Sequence, residues 1–178
     1  MVSTQSRWLS LFNYYSSHFP NSTLQCNIVY HANEPLFEIK ETSKLSSTLL
    51  FHFTRSAVTL QRRTLTNLFS IVGLTTLSSF DKVFVTEGVS DFLALKCMTT
   101  LQVIGITNLK GSPLARQALS LFSSLVFIAD NDSPGISTVS YYKSQFPNSK
   151  VFIPTNKDIS EDLFSPLRNQ VLSRLSKL

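Results

Sequence analysis

The sequence predicts an α/β protein in which a parallel central sheet is preceded by a small basic α+β subdomain. From Asp81 onward, short apolar runs alternate with segments of helical periodicity, which is the pattern of βαβ units. Before Asp81, a single amphipathic segment is followed by short strand-like runs that turn residues separate. We therefore divide the chain of 178 residues into a subdomain over 1–80 and a domain over 81–178.

The predicted first subdomain begins with a helix over 5–19. Its apolar residues recur at helical spacing and form one face: Trp8, Leu11, Phe12 and Tyr15. Strand-like runs follow at 27–30, 36–39 and 48–54, and after them comes a basic stretch that contains Arg55, Arg62 and Arg63. This half carries six bases against three acids, a net charge of +3. An excess of bases favours contact with an anionic polymer such as nucleic acid.

The predicted second domain contains four strands and four helices. The strands are expected at 82–86, 101–107, 125–129 and 150–153. The helices are expected over 89–98, over 113–122 with Pro113 in the first turn, from about 134, and from about 159 to the C-terminus with an interruption at Pro166. The third helix is predicted to direct four side chains inward, namely Ile136, Val139, Tyr142 and Phe146.

The carboxylates are concentrated in this second domain. Eight of the 11 lie from Asp81 onward, and seven of those form three clusters: Glu87 with Asp91, Asp130 with Asp132, and Asp158 with Glu161 and Asp162. Each cluster comes after a predicted strand, and the carboxyl ends of parallel strands meet at one edge of a sheet. The sequence therefore predicts an acidic pocket at that edge. Isolated helix caps would explain single acids but not their convergence.

An acidic pocket of this kind needs a compensating cation. Oxygen donors without nearby histidine or cysteine ligands favour Mg²⁺ or Mn²⁺ over zinc. Such ions usually also bind substrate phosphates, which points to phosphoryl-transfer chemistry. Glu87 lies at a strand end beside Gly88, where it could serve as a general acid or base.

Three motifs in the second domain carry a resemblance to a known family. Residues 85–91 read VTEGVSD, residues 130–135 read DNDSPG, and residues 157–163 read KDISEDL. In this order and spacing they resemble the three signatures of the TOPRIM domain, which has a Rossmann-like fold, over about residues 81–164. Within the TOPRIM families they are most similar to primases of the DnaG type and to the primase half of phage and mitochondrial primase-helicases.

The resemblance implies a role for each matching residue. Glu87 would be the catalytic acid or base and would also contact the metal, and Asp130 and Asp132 would be the principal, catalytic metal ligands. The supporting acids of the metal site would be Asp91, Asp158 and Asp162. Contacts to nucleotide or nucleic acid would come from Gly88, from Lys157, from Lys110 in the loop 105–111, and from Arg62 and Arg63.

The activity implied is a primase that synthesises short RNA primers from NTPs on single-stranded DNA with Mg²⁺ or Mn²⁺. The sequence departs from the family pattern at two positions: Ile136 replaces a basic residue, and Ser133 replaces an arginine or glutamate. No zinc-binding module or Walker A sequence is present, so a replicative helicase or a separate zinc-binding module is an expected partner. A TOPRIM nuclease and a non-catalytic nucleic-acid-binding module are the alternatives.

Composition excludes several other classes of protein. Cys26 and Cys97 lie far apart and form no CxxC pair, which argues against a zinc finger or a disulfide framework. It favours a reducing compartment: cytoplasm, nucleoid, host cytoplasm or organelle matrix. No run approaches the ~20 apolar residues of a membrane span, so no membrane partner is expected.

Overall fold

A computed structural model of the chain describes residues 3–31, 34–41, 47–53, 58–64, 71–106 and 113–178, with 47–53 and 58–64 described by backbone pairing alone. The chain separates into two compact units, residues 2–69 and residues 70–178. Residues 71–80, which the sequence interpretation placed with the first subdomain, lie in the second unit.

The described residues of the first unit form one helix and an antiparallel sheet. Helix α1 (Thr4–His18) begins at Ser3, whose Oγ accepts a hydrogen bond from the Ser6 N–H at 3.2 Å. The strands, in the order β1-β2-β3-β4, are β1 (Leu24–His31), β2 (Glu34–Glu41), β3 (Ser47–Phe53) and β4 (Val58–Thr64). The predicted face of α1 is buried, and the Trp8 and Phe12 rings pack edge-on against Phe37 on β2 at 5.6 and 4.9 Å.

The second unit contains a five-stranded sheet in the order β5-β7-β6-β8-β9. The strands are β5 (Ile71–Val72), β6 (Lys82–Thr86), β7 (Val103–Ile106), β8 (Ser124–Ile128) and β9 (Lys150–Phe152). All neighbours pair in parallel except β5, which runs antiparallel to β7. The predicted fold class is confirmed. The two-residue β5 is too short to be found by periodicity.

A short 3₁₀ helix (Leu74–Thr76) and five α-helices accompany this sheet among the described residues: α2 (Val89–Met98), α3 (Pro113–Leu119), α4 (Ser133–Gln145), α5 (Ile159–Leu163) and α6 (Arg168–Leu175). The predicted last helix is thus two helices, separated around Pro166, because proline cannot continue a helix interior. Within the described part of the chain, none of the helices has the length and apolar character needed to cross a bilayer.

The strand order determines where a ligand can bind. The chain passes from β6 outward to β7 and then returns across β6 to β8, so the carboxyl ends of β6 and β8 flank a topological switch point. Both strands are apolar along their length because both faces are covered. One face contributes Val83, Val85, Leu125 and Phe127 to the main core.

The orientation of α4 corrects one sequence prediction. Val139 and Tyr142 are buried and Phe146 packs partly against the core as expected, but Ile136 is 45% exposed. Gly135 occupies the inward position instead, in close contact with the backbone of Asp130. One residue further along a helix turns the side chain by about 100°, which directs Ile136 to solvent.

Candidate active site

Two of the acidic residues predicted at the sheet edge, Glu87 and Asp130, follow the carboxyl ends of neighbouring strands. Glu87 directly follows β6, and Asp130 lies just beyond the end of β8. These ends are level, because Thr86 and Ile128 are paired neighbours in the parallel ladder. The two residues therefore flank the switch point between β6 and β8, where open parallel sheets bind ligands.

The pKa of Asp130 depends on the charged groups that lie near it. The pKa of this carboxyl is raised to about 6, first by burial and then by the negative charges of Glu87, Asp158 and Asp132, and Lys157 opposes the rise. Charges that shift a pKa in this way lie close together. Glu87, Asp132, Asp158 and Lys157 therefore all lie near enough to Asp130 to influence its charge.

Asp132 has a structural role that explains its motif. It is the N-cap of α4, where its Oδ1 accepts a hydrogen bond from the Gly135 N–H at 2.8 Å. Pro134 occupies the first turn, where its missing N–H costs nothing. Capping engages one carboxylate oxygen and leaves the second for a cation. Asp132 can therefore begin the helix and serve as a ligand together.

We expect Asp132→Ala to lower the stability of the protein by about 1 kcal/mol, the usual contribution of an N-cap. For a chain of this size that corresponds to a fall in Tm of about 2–4 °C. Asp132→Asn should keep nearly all of this stability because its amide oxygen can still accept the Gly135 N–H. Thermal unfolding followed by circular dichroism compares the two, and equal losses in both variants would contradict a capping role.

Asp91 and Asp162 lie behind the site rather than at its surface. Asp91 is 4% exposed, and its Oδ1 accepts a hydrogen bond from the Ser160 N–H at 3.0 Å. This bond joins the first turn of α2 to the first turn of α5. Asp162 is 0% exposed, and its two oxygens accept hydrogen bonds from the Thr155 and Asn156 N–H groups at 2.7 and 2.8 Å.

Asp158 and Glu87 are more exposed than the buried Asp91 and Asp162. Asp158 is partly exposed and caps α5, because its Oδ1 accepts a hydrogen bond from the Glu161 N–H at 2.6 Å. Glu87 is also partly exposed, although its Oε2 is buried. Gly88 follows as the N-cap of α2. Both carboxylates therefore contribute charge at the mouth of the site.

The donor set fits a hard divalent cation. Among the residues that the structure describes, no three acidic, histidine or cysteine side chains lie close enough to hold a metal ion by themselves. Mg²⁺ is commonly bound by only one or two carboxylates, with waters and substrate phosphates completing its octahedron. The oxygen donors of Asp130 and Asp132 suit that arrangement, and a cation would relieve the repulsion that raises the pKa of Asp130.

The remaining predicted contacts are placed only in part. Lys110 lies outside the described residues. Arg62 and Arg63 lie on β4, where they pair in register with Leu50 and Leu49 of β3. Lys157 is exposed and lies near enough to Asp130 to affect its pKa.

One residue of the site was not predicted from the sequence. The backbone N–H of Asn131 donates a hydrogen bond to the Lys157 carbonyl at 2.6 Å, and its Nδ2 donates to the Thr155 carbonyl at 3.3 Å. Asn131 thus joins the loop after β8 to the loop after β9. Its partner Thr155 is 24 residues away, a separation at which no local sequence pattern reveals a contact.

Comparisons with known proteins agree with this architecture. No family model and no curated protein matches the chain by sequence. Among solved structures, the chain is similar to the primase fragment of the bacteriophage T7 primase-helicase protein, with a TM-score of 0.66 and 14% identity over 84% of this chain and 66% of that one.

Two further structures share the fold. A complex of bacteriophage T7 lagging-strand DNA polymerase with primase domains bound to an RNA/DNA hybrid and dTTP matches with a TM-score of 0.63 and 15% identity, covering 85% of this chain and 81% of that one. The DnaG catalytic core matches with a TM-score of 0.59 and 10% identity, covering 79% of this chain and 52% of that one. The predicted resemblance to DnaG-type primase cores is confirmed at the level of the fold.

Proposed function

We propose that the chain is a primase-type catalytic core that joins NTPs into short RNA primers on single-stranded DNA, using Mg²⁺ or Mn²⁺. The observation that carries this proposal is the meeting of Glu87, Asp130, Asp132 and Asp158 at the switch point of a fold shared with primase domains. Carboxylates gathered where open parallel sheets bind ligands suit the metal-assisted transfer of a nucleotidyl group.

The reaction forms a bond between the 3′-oxygen of one nucleotide and the α-phosphorus of the next, and pyrophosphate leaves. Asp130 and Asp132 hold the divalent ion, which supplies neutralisation of the triphosphate charge when it is bound. Glu87 accepts the proton of the attacking hydroxyl as a general base. The ammonium group of Lys157, beside Asp130, contacts the triphosphate.

The other proposed contacts involve the template and further proteins. Arg62 and Arg63 on β4, with the excess of bases in the first half, bind the DNA backbone electrostatically. The similar T7 primase domains were solved with an RNA/DNA hybrid, dTTP and a DNA polymerase. We accordingly propose replication proteins as partners, among them a helicase or a separate zinc-binding module, and a reducing compartment as the place of action.

Purified protein incubated with single-stranded DNA, NTPs and Mg²⁺ is expected to yield short oligoribonucleotides. Glu87→Gln should lower the rate about 10²- to 10⁴-fold, since it removes the general base and keeps the size of the side chain. Asp81→Asn is the matched control, because Asp81 is an exposed carboxylate just before β6. Labelled products are resolved by gel electrophoresis.

Other outcomes of the same assay would contradict the proposal. Cleavage of DNA or RNA in Mn²⁺ without NTPs would indicate the alternative nuclease. Absence of product, together with no Mg²⁺ binding in calorimetry, would indicate a non-catalytic nucleic-acid-binding module.

A further inference from the structure

The loop between β9 and α5 is tied down by hydrogen bonds at successive residues. We call residues 155–158 the clamped loop. Asp162 accepts the N–H groups of Thr155 and Asn156 at 2.7 and 2.8 Å, and Glu161 accepts the N–H of Lys157 at 3.3 Å through its Oε2. The clamped loop contains Lys157 and Asp158, whose charges lie near enough to Asp130 to affect its pKa.

A second set of bonds joins the clamped loop to the loop that carries Asp130 and Asp132. Asn131 lies between these two acids, and it donates to the carbonyls of Lys157 and Thr155 at 2.6 and 3.3 Å. A displacement of the clamped loop would therefore disturb the spacing between Lys157 and Asp130. While these bonds are intact, they fix the position of Lys157 relative to Asp130, whereas Asp132 is held separately as the cap of α4.

A third anchor comes from α6, which carries none of the predicted site residues. Arg174 donates from Nη2 to the Ile153 carbonyl at 2.9 Å and from Nη1 to the Thr155 Oγ1 at 3.4 Å. Its guanidinium also lies over the ring of Phe152, 4.5 Å from the centroid. Arg174 thus fixes the chain on the β9 side of the clamped loop.

We propose that Asp162 and Arg174 are positioning residues that hold Lys157 for its contact with the triphosphate, and that Asp162 is not a metal ligand. The proposal rests on the proposed function for the role of Lys157. Two main-chain N–H groups point at the Asp162 carboxylate, which has no exposed surface. A cation could reach this buried carboxylate only if the clamped loop moved away from it, which would break the hydrogen bonds from Thr155 and Asn156, and donors left unsatisfied are costly.

This arrangement predicts that metal binding and nucleotide binding respond differently to substitution. Loosening the clamped loop should weaken the contact between Lys157 and the triphosphate, whereas Asp130 and Asp132 remain on their own loop and cap. A variant of a positioning residue should therefore bind Mn²⁺ normally and bind ATP in the presence of Mn²⁺ less tightly. A variant of a metal ligand should lose both.

The experiment compares Asp162→Asn, Arg174→Ala and Asp130→Asn with the wild-type chain. Calorimetry measures Mn²⁺ alone and ATP with Mn²⁺, and hydrogen exchange measures the Thr155 and Asn156 amides. We expect Asp162→Asn and Arg174→Ala to keep the Mn²⁺ affinity of the wild type. Their affinity for ATP should fall about tenfold and their KM for NTPs should rise about tenfold, which is the effect of one lost hydrogen bond to a charged group. The two amides should exchange faster in Asp162→Asn.

Arg168→Ala is the matched control, since Arg168 is an exposed arginine on the same helix. Loss of Mn²⁺ binding in Asp162→Asn, to the extent seen in Asp130→Asn, would make Asp162 a ligand and overturn the proposal. Unchanged ATP affinity in both Asp162→Asn and Arg174→Ala would also overturn it. Should Asp162→Asn fail to fold, the ATP affinity of Arg174→Ala tests the positioning role, because Arg174 holds the same loop from α6.

The two proposals fail in distinguishable ways. A wild-type chain that binds Mn²⁺ and ATP but makes no primers would contradict the proposed function. The positioning roles of Asp162 and Arg174 could still be measured from ATP affinity. If the wild-type chain makes primers and Asp162→Asn cannot bind Mn²⁺, the proposed function stands and only the positioning role of Asp162 is contradicted.

Discussion

Replacing Asp130 by asparagine is expected to abolish nucleotidyl transfer and, in the same protein, to raise stability at neutral pH. The variant removes the carboxylate that we assign to the metal, and losing such an electrostatic contact typically lowers a rate about 10²- to 10³-fold or more. It also removes a partly buried charge that Glu87, Asp158 and Asp132 repel. Activity and stability should therefore change in opposite directions.

The pH dependence of this gain follows from the raised pKa of Asp130. The pKa in the folded chain is about 6 instead of 3.8, so folding favours the protonated carboxyl. The stability contributed by that form is fully present below about pH 4 and is lost as pH rises through about 6. Asparagine resembles the protonated form at every pH. The advantage of Asp130→Asn is therefore absent at pH 4 and complete above about pH 7.

The size of the gain is moderate because the carboxyl is partly exposed. A rise in pKa from 3.8 to about 6 would correspond to about 3 kcal/mol without screening by solvent. Solvent screening reduces this to about 1 kcal/mol, or a rise in Tm of about 2–4 °C. Thermal unfolding at pH 4 and pH 8 measures it.

Mg²⁺ provides the control for the same measurement. The ion should raise the Tm of the wild-type chain at pH 8 and leave that of Asp130→Asn nearly unchanged. A variant that retained primer synthesis, or that was less stable than the wild type at pH 8, would contradict the assignment of Asp130.

Gly135→Ala is expected to cause the largest loss of stability of any single methyl group added near the site. A Cβ at this position would lie 2.5 Å from the Asp130 carbonyl oxygen, 2.7 Å from its Cβ and 2.9 Å from its backbone nitrogen. Two of these atoms are backbone, which can move only if β8 or α4 shifts. Overpacking of this kind costs about 3 kcal/mol, and the Tm should fall by about 6–12 °C.

Gly88→Ala is the matched control for that variant. Its Cβ would lie 3.3 Å from the Asp91 Oδ2 and 3.8 Å from the Ser90 Oγ, and both are side-chain atoms. We expect only a small fall in Tm, measured in parallel by calorimetry. Equal Tm values for Gly135→Ala and the wild type would show that α4 can move away from Asp130 at little cost.

Most of the fold could be predicted because its elements are local and strongly patterned. The strand over 82–86 and the helix over 89–98 were predicted with the bounds that the structure has. Ile136 was misplaced because periodicity alone did not distinguish it from Gly135, which is the residue in contact with Asp130. The inward position follows from close backbone approach, a property of two elements that are joined only in the folded chain.

The sequence predicted which residues lie at the site better than it predicted what each of them does there. The convergence of Glu87, Asp130, Asp132 and Asp158 followed from strand ends and parallel topology, and the mutual effects of these charges agree with it. Asp162 stands next to a glutamate in a motif that resembles a metal-binding signature. Its sequence neighbourhood contains nothing to indicate that both oxygens accept backbone N–H groups.

Residue types and short-range spacing were enough to predict the α/β architecture, the sheet edge at which chemistry can occur and the oxygen-only character of the donors. Each of these depends on residue type and on spacing of a few residues along the chain. Only the folded structure shows which acids lie near Asp130 and which accept backbone N–H groups behind it. It also shows that Asn131 joins two loops and that Arg174 on α6 holds the segment after β9. The contacts of Asn131 and Arg174 connect residues 24 and 21 positions apart in the chain, and their geometry exists only after the strands have paired and the helices have packed.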